Sequence, residues 1–434
     1  MYLVADAEIV SPTSPRYSSK AKTPRRRSLV LYNSQMLDDT AVFHSSADAN
    51  EFQVGYCTNV HSGADLLATR ANLEKYALAV KQQVSPDGPM AVGLWLSAQA
   101  AEDLLRHELT EAFADWLGEV GLVPFTMNGF PYGDFHADIV KHAVYQPDWT
   151  DIRRRRYTEN LIQIMDRLLA PGAEGSISTL PLAWGSPAPE ESQWVAFADV
   201  LRRIVSRLKQ LEEETGRLIY VCIEPEPGCV LQRGEDVIRF FEDWLLADGD
   251  EHGVRRYLRV CHDICHGAVM FEDQRQVLQR YQDAGIRIGK VQISSAIVLR
   301  LDTLPHRQRA TALEQMREFS EDRYLHQTLV RRAADESPVF FEDLPAALDQ
   351  ASDSSQWCGE WRVHHHVPIY LDRFGALETS QQDILQCLEL LKRSGQVRHI
   401  EVETYSWEIL PRSLRRAGLA DCIAEELLWL REHF

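Results

Sequence analysis

Acidic, amide and histidine side chains recur at the C-terminal ends of the strand-like runs of this chain. The runs are IYVCIEPEPG, LRVCHDICH, GKVQISSA, RVHHHVPIY and HIEVETYSW. Their polar residues are Glu224, Glu226, Asp263, His266, Gln292, His364, His366, Glu401 and Glu403. Carboxylates and imidazoles that meet at one point form a divalent-metal site of mixed nitrogen and oxygen character. The residue types therefore predict a site for a divalent metal, with Mn, Mg and Zn all open.

The order of elements predicts how these residues would come together. Strand-like runs are predicted at 52–61, 90–97, 122–130, 176–182, 218–224, 258–263, 287–295, 362–370 and 399–406. Amphipathic, helix-like stretches lie between them, at 65–83, 100–119, 155–169, 194–215, 235–246, 272–284 and 380–394. Such alternation predicts an α/β protein with a parallel sheet and outer helices. In a single (β/α)8 TIM barrel, the C-terminal strand ends converge on one face.

Nine strand candidates are one more than the barrel needs. The interval after 287–295 is longer than the others and contains a helical stretch at 306–334. We therefore predict an insertion over 300–370 after the seventh strand, with 362–370 carrying histidines back to the mouth of the barrel. Residues 50–434 are predicted to form the barrel. Residues 1–49, which include a Ser- and Pro-rich stretch ending in Pro24–Arg27, are predicted to be a partly flexible N-terminal extension.

Side chains alternate along a strand, so residues two apart share one face. Three pairs have this spacing: Glu224 with Glu226, Glu401 with Glu403, and His364 with His366. Asp263 and His266 are three apart across a strand-to-loop turn, which lets both side chains reach one centre. A charge inside a barrel is costly unless it is paired or bound to a metal. For Glu224 taken alone, an ion pair at the barrel rim is the alternative interpretation.

Aromatic, amide and glycine residues follow two of the early strands. The run TMNGFPYGDFH follows the third strand, and the first strand ends in TNVH. Such residues at a barrel mouth suit a small polyol or sugar-like ligand, although an ordinary tight loop is equally compatible with the pattern. The candidate substrate-binding residues are Asn59, His61, Asn128, Phe130, Tyr132, His136, Glu226 and Lys290.

Composition excludes several classes of protein. A net charge of −18 argues against a general nucleic-acid binder, because such binding depends on neutralising phosphates. The eight cysteines are scattered, which is typical of free thiols in a reducing compartment. No run reaches the roughly 18 apolar residues of a membrane helix, so no membrane insertion is predicted and the cytoplasm is expected. No Walker A, GxGxxG, paired CxxC or GxSxG motif supports a nucleotide cofactor or a nucleophilic triad.

Six motifs, in order, resemble the EboE family, a bacterial metabolite-traffic group: TMNGFPYGDFH, EPEPGC, HDICH, KVQISSA, HHHVP and EVETYSW. More broadly, residues 50–410 resemble the xylose isomerase-like TIM barrel superfamily, which includes sugar epimerases and endonuclease IV. The resemblance implies a metal held by Glu224, Asp263, Gln292 and Glu403, with His266 beside it. Gln292 replaces the histidine usual in that superfamily, and His364 or His366 could compensate. Other proteins of the same pathway are implied as possible partners.

Three functions follow from these expectations. The leading hypothesis is a metal-dependent isomerase or epimerase acting on a sugar, cyclitol or related metabolite, with Glu224 and Glu403 as the acid–base pair. A metabolite-binding protein without turnover is the second, and Gln292 favours it. A phosphodiesterase like endonuclease IV is the third, and the acidic net charge counts against it.

Overall fold

The structure is a computed structural model that describes residues 52–247, 249–333, 336–351, 353, 357–415 and 418–434. The extension predicted at 1–49 lies outside the described residues. No described helix is both long and apolar enough to cross a membrane.

Fourteen strands of the described residues form two sheets. The first seven belong to the barrel: β1 Gln53–Tyr56, β2 Met90–Trp95, β3 Leu122–Asn128, β4 Glu174–Thr179, β5 Leu218–Ile223, β6 Leu258–Asp263 and β7 Ile288–Ile293. The second sheet follows: β8 Ile297–Arg300, β9 Thr328–Arg331, β10 Val339–Phe341, β11 Glu360–Val363, β12 Arg373–Phe374 and β13 Leu377–Thr379. The last strand, β14 His399–Val402, returns to the barrel.

The barrel sheet is parallel, in the order β1-β14-β7-β6-β5-β4-β3-β2. A parallel pairing of Cys57 with Gly93 brings its two ends together. Asp263 and Glu401 are both in register with Gln292, so β6, β7 and β14 end at one level. The predicted (β/α)8 TIM barrel is therefore confirmed.

Helices lie between and after the strands of the two sheets. They are α1 Leu66–Asn72, α2 Leu78–Val84, α3 Ala98–Arg106, α4 Thr110–Glu119, α5 Ile152–Leu168, α6 Glu191–Thr215, α7 Gly234–Phe240, α8 Glu251–Tyr257, α9 Ile264–Val269, α10 Gln274–Asp283, α11 His306–Arg317, α12 Leu344–Gln350, α13 Gln381–Ser394 and α14 Leu419–His433. Local chemistry sets several ends. The Asp263 side chain accepts from the backbone N–H of His266 and begins α9, while Gly216 ends α6 with a φ of 72°, which favours glycine.

The second sheet lies in the chain between β7 and α13, with its strands antiparallel in the order β10-β9-β11-β8-β13-β12. The sequence prediction for this part was partly wrong. Helix α11 covers only the first part of the helical stretch predicted at 306–334, and the last part contains β9. The strand predicted at 362–370 ends at Val363, so the three histidines lie in the loop after β11. The proposal that this part is an insertion over 300–370 stays a prediction.

The barrel interior has an unusually polar layer. The Lys290 ammonium lies 2.6 Å from a carboxylate oxygen of Glu401, and both side chains are fully buried. Gly93 makes room for this carboxylate, because a Cβ at that position would lie 1.5 Å from Glu401 Oε1. A buried ion pair replaces the branched apolar residues that usually fill such a layer.

Candidate metal centre

Three buried carboxylates meet at the C-terminal end of the barrel. Glu224 follows β5, Asp263 ends β6 and Glu403 follows β14. One oxygen of each lies within 4.8 Å of the others. Burial, with repulsion from neighbouring carboxylates, raises the pKa of Glu224 and Glu403 well above the ordinary range. Burial opposes ionisation of Asp263 too, but His266, His366 and hydrogen bonds outweigh it, so that its pKa is lowered.

Hydrogen bonds hold one oxygen of Asp263, whereas its other oxygen and one oxygen of Glu224 have no partner among the described residues. Asp263 Oδ1 accepts from the backbone N–H of His266 at 2.9 Å and from the Ser294 hydroxyl at 2.8 Å. The other oxygen, Asp263 Oδ2, has no hydrogen-bond partner among the described residues, and neither has Glu224 Oε2. Buried oxygens without partners are costly. A cation between them would satisfy both, so the donor set fits a metal.

Glu403 is held by two amides. The side-chain NH2 groups of Asn59 and Asn128 each donate to Glu403 Oε1 at 2.8 Å. Asn59 follows β1 and Asn128 ends β3, so the barrel mouth orients this carboxylate from two sides.

His366 has the arrangement of a neutral metal ligand. Its Nδ1 lies 2.6 Å from the backbone carbonyl oxygen of Glu403. A carbonyl can only accept, so Nδ1 carries the hydrogen and Nε2 presents a lone pair, which has no partner among the described residues. Burial lowers the pKa of His366 to about 4. Donor atoms of His366, Asp263 and His266 lie within 4.8 Å of one another, and a backbone carbonyl behind the ring is a common way to orient a ligating histidine.

A second pair of imidazoles has an unusual hydrogen-bond requirement. His266 Nδ1 faces the carbonyl of Pro225 at 3.0 Å, and His364 Nδ1 faces Gln327 Oε1 at 2.8 Å. The Gln327 amide cannot turn round, because its NH2 group donates to Glu226 Oε1 and to a backbone carbonyl. Both Nδ1 atoms therefore donate, which leaves two lone pairs on Nε2 atoms that are 3.1 Å apart. One shared proton or one cation must lie between them.

These groups border one small cavity of about 60 Å³. Its other walls are mostly aromatic or apolar and include Phe130, Phe135, Tyr145, Tyr324 and Tyr405. One water molecule needs about 10–15 Å³ of such free cavity volume, so the cavity has room for several.

Two loops border this cavity and are bonded to each other. The backbone N–H groups of Val140 and Lys141 donate to the carbonyl of Arg323 at 2.7 and 2.8 Å. The Tyr324 hydroxyl donates to the carbonyl of Phe135 at 2.9 Å. The segment after β3 and the segment before β9 are therefore joined where they border the cavity.

Most candidate residues from the sequence line this cavity. They are Asn59, Asn128, Phe130, Glu224, Glu226, His266, His364, His366 and Glu403. Asp263 belongs to the same carboxylate cluster. Glu226 lies at the side, where its Oε1 accepts from the Tyr145 hydroxyl at 2.8 Å.

Other candidates lie elsewhere. Gln292, expected as a ligand, accepts from the Cys261 thiol at 2.7 Å instead. Lys290, expected to bind substrate, is used in the ion pair with Glu401. His61 stacks on Tyr76 with a ring-centroid distance of 4.8 Å and lines a different pocket.

The last two candidates lie near the mouth of the barrel but do not line the cavity. Tyr132 lines a separate pocket with Arg153. His136 Nε2 lies 2.6 Å from the backbone carbonyl oxygen of Asn59, so it supports a residue of the site from behind.

Several residues at the site were not predicted from the sequence. They include Lys141, Tyr145, Ser294, Tyr324, Gln327 and Tyr405. Gln327 fixes His364, but it precedes β9, a strand of the second sheet that the sequence pattern did not predict. Ser294 was detectable, because it follows β7 in the same polar run as Gln292.

The chain resembles solved barrel structures at low identity. No protein-family model and no curated protein matches it. A xylose isomerase-like TIM barrel protein from Mycobacterium smegmatis in complex with magnesium has a TM-score of 0.47, at 10% identity over 88% of this chain and 96% of that chain. An IolI protein with a bound zinc atom has a TM-score of 0.45, at 12% identity over 88% of this chain and 99% of that chain.

A third similar structure is the probable 3-DHS dehydratase AsbF from Bacillus anthracis. Its TM-score is 0.44, at 11% identity over 87% of this chain and 98% of that chain.

Proposed function

We propose that the protein is a metal-dependent isomerase or epimerase that acts on a sugar, cyclitol or related polyol. One observation carries the proposal. Glu224 Oε2, Asp263 Oδ2 and His366 Nε2 are buried donor atoms without partners among the described residues, and Asp263 is grouped with Glu224 and Glu403 on one side and with His366 on the other, beside the C-terminal strand ends. That end of a TIM barrel is where active sites are built.

Glu224, Asp263, Glu403 and His366 would hold the metal. His366 supplies the ring nitrogen in place of Gln292, whose oxygen accepts from Cys261. Three carboxylates and one imidazole are compatible with Mn, Mg or Zn. Such a cation would polarise a substrate carbonyl and stabilise the negative charge of an enediolate.

Glu224 and Glu403 would transfer the protons. Both carboxylates border the cavity, where a positioned carboxylate can take a proton from the carbon next to a carbonyl and return it. Asn59 and Asn128 hold Glu403 in place by its Oε1. The aromatic walls would pack against C–H faces of a polyol and exclude water.

The substrate would be a small metabolite of a secondary-metabolite pathway. The support is the resemblance of six ordered motifs to the EboE family. Motif residues Asn128, Glu226, His266, His364 and Glu403 all border the same cavity. Other proteins of such a pathway are the partners that this proposal implies.

A metabolite-binding protein without turnover is the second candidate function. The joined segments beside the cavity and its small volume of about 60 Å³ favour it, because they suit retention of a ligand more than rapid exchange. In that case the carboxylates would bind hydroxyl groups or a structural ion.

Deuterium exchange tests both candidates. The protein is incubated in D2O with Mn2+ or Mg2+ and a panel of sugars and cyclitols, and deuterium uptake next to the carbonyl is followed. We expect uptake by the wild type and a loss of about 10²–10⁴-fold in Glu224→Gln and in Glu403→Gln. Glu213→Gln, on the exposed face of α6, is the matched control and should behave as the wild type.

Two results would contradict the isomerase. Uptake that survives in both glutamine variants would remove these carboxylates from the reaction. Ligand binding without exchange, unchanged in affinity after metal removal, would favour the binding protein.

A further inference from the structure

A large arginine-rich cleft lies at the end of the barrel opposite the carboxylate cluster. Its volume is about 1150 Å³. Leu218, Arg259, Ile288 and Arg398 line it at the starts of β5, β6, β7 and β14, whereas the carboxylates lie where strands end. Its charged lining consists of one acidic residue, Glu174, and seven arginines: Arg256, Arg259, Arg275, Arg280, Arg287, Arg393 and Arg398.

Three of these arginines have carboxylate partners. Arg256 pairs with Glu212, Arg393 pairs with Glu389, and Arg398 lies 3.3 Å from Glu174. The other four, which are Arg259, Arg275, Arg280 and Arg287, form no ion pair with any acidic side chain that the structure describes. In a chain of net charge −18 this is a local excess of positive charge.

One guanidinium of the cleft, that of Arg259, is almost fully buried. The residue is 6% exposed, and its guanidinium carbon lies 3.5 Å from the centroid of the Tyr220 ring. Its Nε donates to the backbone carbonyl of Arg256 at 3.2 Å. Its two terminal nitrogens make no hydrogen bond within the described part of the chain. An anion in the cleft would supply a counter-charge and hydrogen-bond acceptors to this guanidinium.

We propose that this cleft binds a small organic anion that carries two or more phosphate groups. A guanidinium presents a planar fork of donors that matches phosphate oxygens, and four unpaired ones surround a single recess. Gln276, Gln279 and Gln282 line the same recess and add amide donors. The cleft does not share residues with the carboxylate cluster, so this second site is independent of the isomerase proposal.

The test is calorimetric titration of the full chain with inorganic tripolyphosphate at about 150 mM salt, where surface charges are screened. The protein is first treated with a chelator, so that phosphate binding to a metal at the other end of the barrel does not contribute. We expect saturable binding by the wild type. Replacing one arginine removes a charged hydrogen bond and should weaken binding by about tenfold or more.

Three variants make the test specific. Arg259→Met removes the buried guanidinium. The double variant Arg275→Gln/Arg287→Gln removes two exposed ones, and it keeps the test valid should Arg259→Met fail to fold. The matched control is Arg203→Gln/Arg307→Gln, which removes two exposed arginines outside the cleft.

Absence of binding by the wild type would overturn the proposal. Equal weakening in the double variant and in its control would also overturn it, because it would show general attraction to positive charge. Strong weakening in the cleft variants alone would support the site. A titration with vesicles containing a phosphoinositide would then show whether a lipid head group can replace the free anion. Competition with tripolyphosphate would place both ligands in the same cleft.

Discussion

The protonation of Glu224 and Glu403 links metal binding to pH. Both have a pKa well above the ordinary range because burial and neighbouring carboxylates oppose their ionisation. Without a cation the protonated forms of both carboxyl groups are favoured up to a higher pH than usual, whereas a metal requires them deprotonated. We therefore predict that metal affinity rises with pH and that Mn2+ binding releases protons. Titration calorimetry in buffers of different ionisation enthalpy would measure the protons released.

The stability of the metal-free protein should fall with rising pH, whereas its affinity for the metal rises. A carboxylic acid with a raised folded-state pKa contributes stability at low pH, and that contribution is lost as pH rises through the folded-state pKa. The metal-free form should therefore lose stability with rising pH, while the loaded form gains affinity. Proton release near zero at every pH would show that these carboxylates do not bind the metal.

The ion pair between Lys290 and Glu401 predicts a large effect on stability. Replacing Lys290 by methionine leaves the Glu401 carboxylate buried without its partner. Loss of one member of a buried pair costs about 3–5 kcal/mol. The free energy of unfolding, measured in urea, should fall by that amount in Lys290→Met. It should recover in part in Lys290→Met/Glu401→Gln, and a double variant as unstable as the single one would contradict this account.

The sequence predicts some of these residues better than others. Glu224, Asp263 and Glu403 could be placed together because each ends an apolar run, and strand ends converge in a parallel barrel. Gln292 has the same sequence pattern but turns to the Cys261 thiol, a neighbour that no sequence spacing reveals. His366 reaches the cluster although it lies in a loop, so period-two alternation was the wrong reason for grouping it with His364.

At the scale of elements, the barrel was predictable and the second sheet was not. Every predicted barrel strand overlaps an observed one, because long buried parallel strands carry a continuous apolar signal. Strands β10, β12 and β13 have only two or three residues each, too few for any periodicity to show. Strands β12 and β13 pair with each other across a tight turn, but β13 joins the sheet through β8, which is distant in sequence. These strands of the second sheet therefore escaped the sequence prediction.

Helix α14 joins two of the segments that carry site residues. The Glu426 carboxylate in this helix accepts from the backbone N–H of Ile369 at 3.1 Å and from the Thr404 hydroxyl at 2.7 Å. It also accepts from the indole N–H of Trp407 at 3.2 Å. One side chain thus holds the loop after His366 against the loop after Glu403. Burial nevertheless raises the pKa of Glu426 to about 7.

This anchor predicts a pH dependence of stability. Because the folded-state pKa is raised, Glu426 contributes stability below its unfolded value, and that contribution is lost as pH rises through about 7. Glu426→Gln removes the titration and keeps the shape. From about pH 5 to about pH 8.5, the free energy of unfolding of the wild type should fall by about 2–3 kcal/mol relative to that of Glu426→Gln. Urea unfolding at several pH values measures it, and parallel curves would contradict the prediction.

At the scale of the whole molecule, charge is divided between the two ends of the barrel. The C-terminal end gathers carboxylates with unpartnered oxygens, and the N-terminal end gathers arginines without ion pairs among the described residues. The first arrangement suits a cation and the second suits an anion. Both are costly in the absence of their ligands, so each site should couple ligand binding to the stability of the fold.

The metal should therefore stabilise both sheets together. Its proposed ligands come from the ends of β5, β6 and β14 and from the loop after β11, so one ion would join the barrel to the second sheet. At a concentration 100-fold above its dissociation constant, a ligand adds about 2.7 kcal/mol to the free energy of unfolding. We predict that Mn2+ slows hydrogen exchange at the barrel mouth and also in residues 364–367, and that Glu224→Gln abolishes both effects. Protection confined to the ends of β5 and β6 would show that His366 is not a ligand, because the second sheet would then gain nothing from the bound ion.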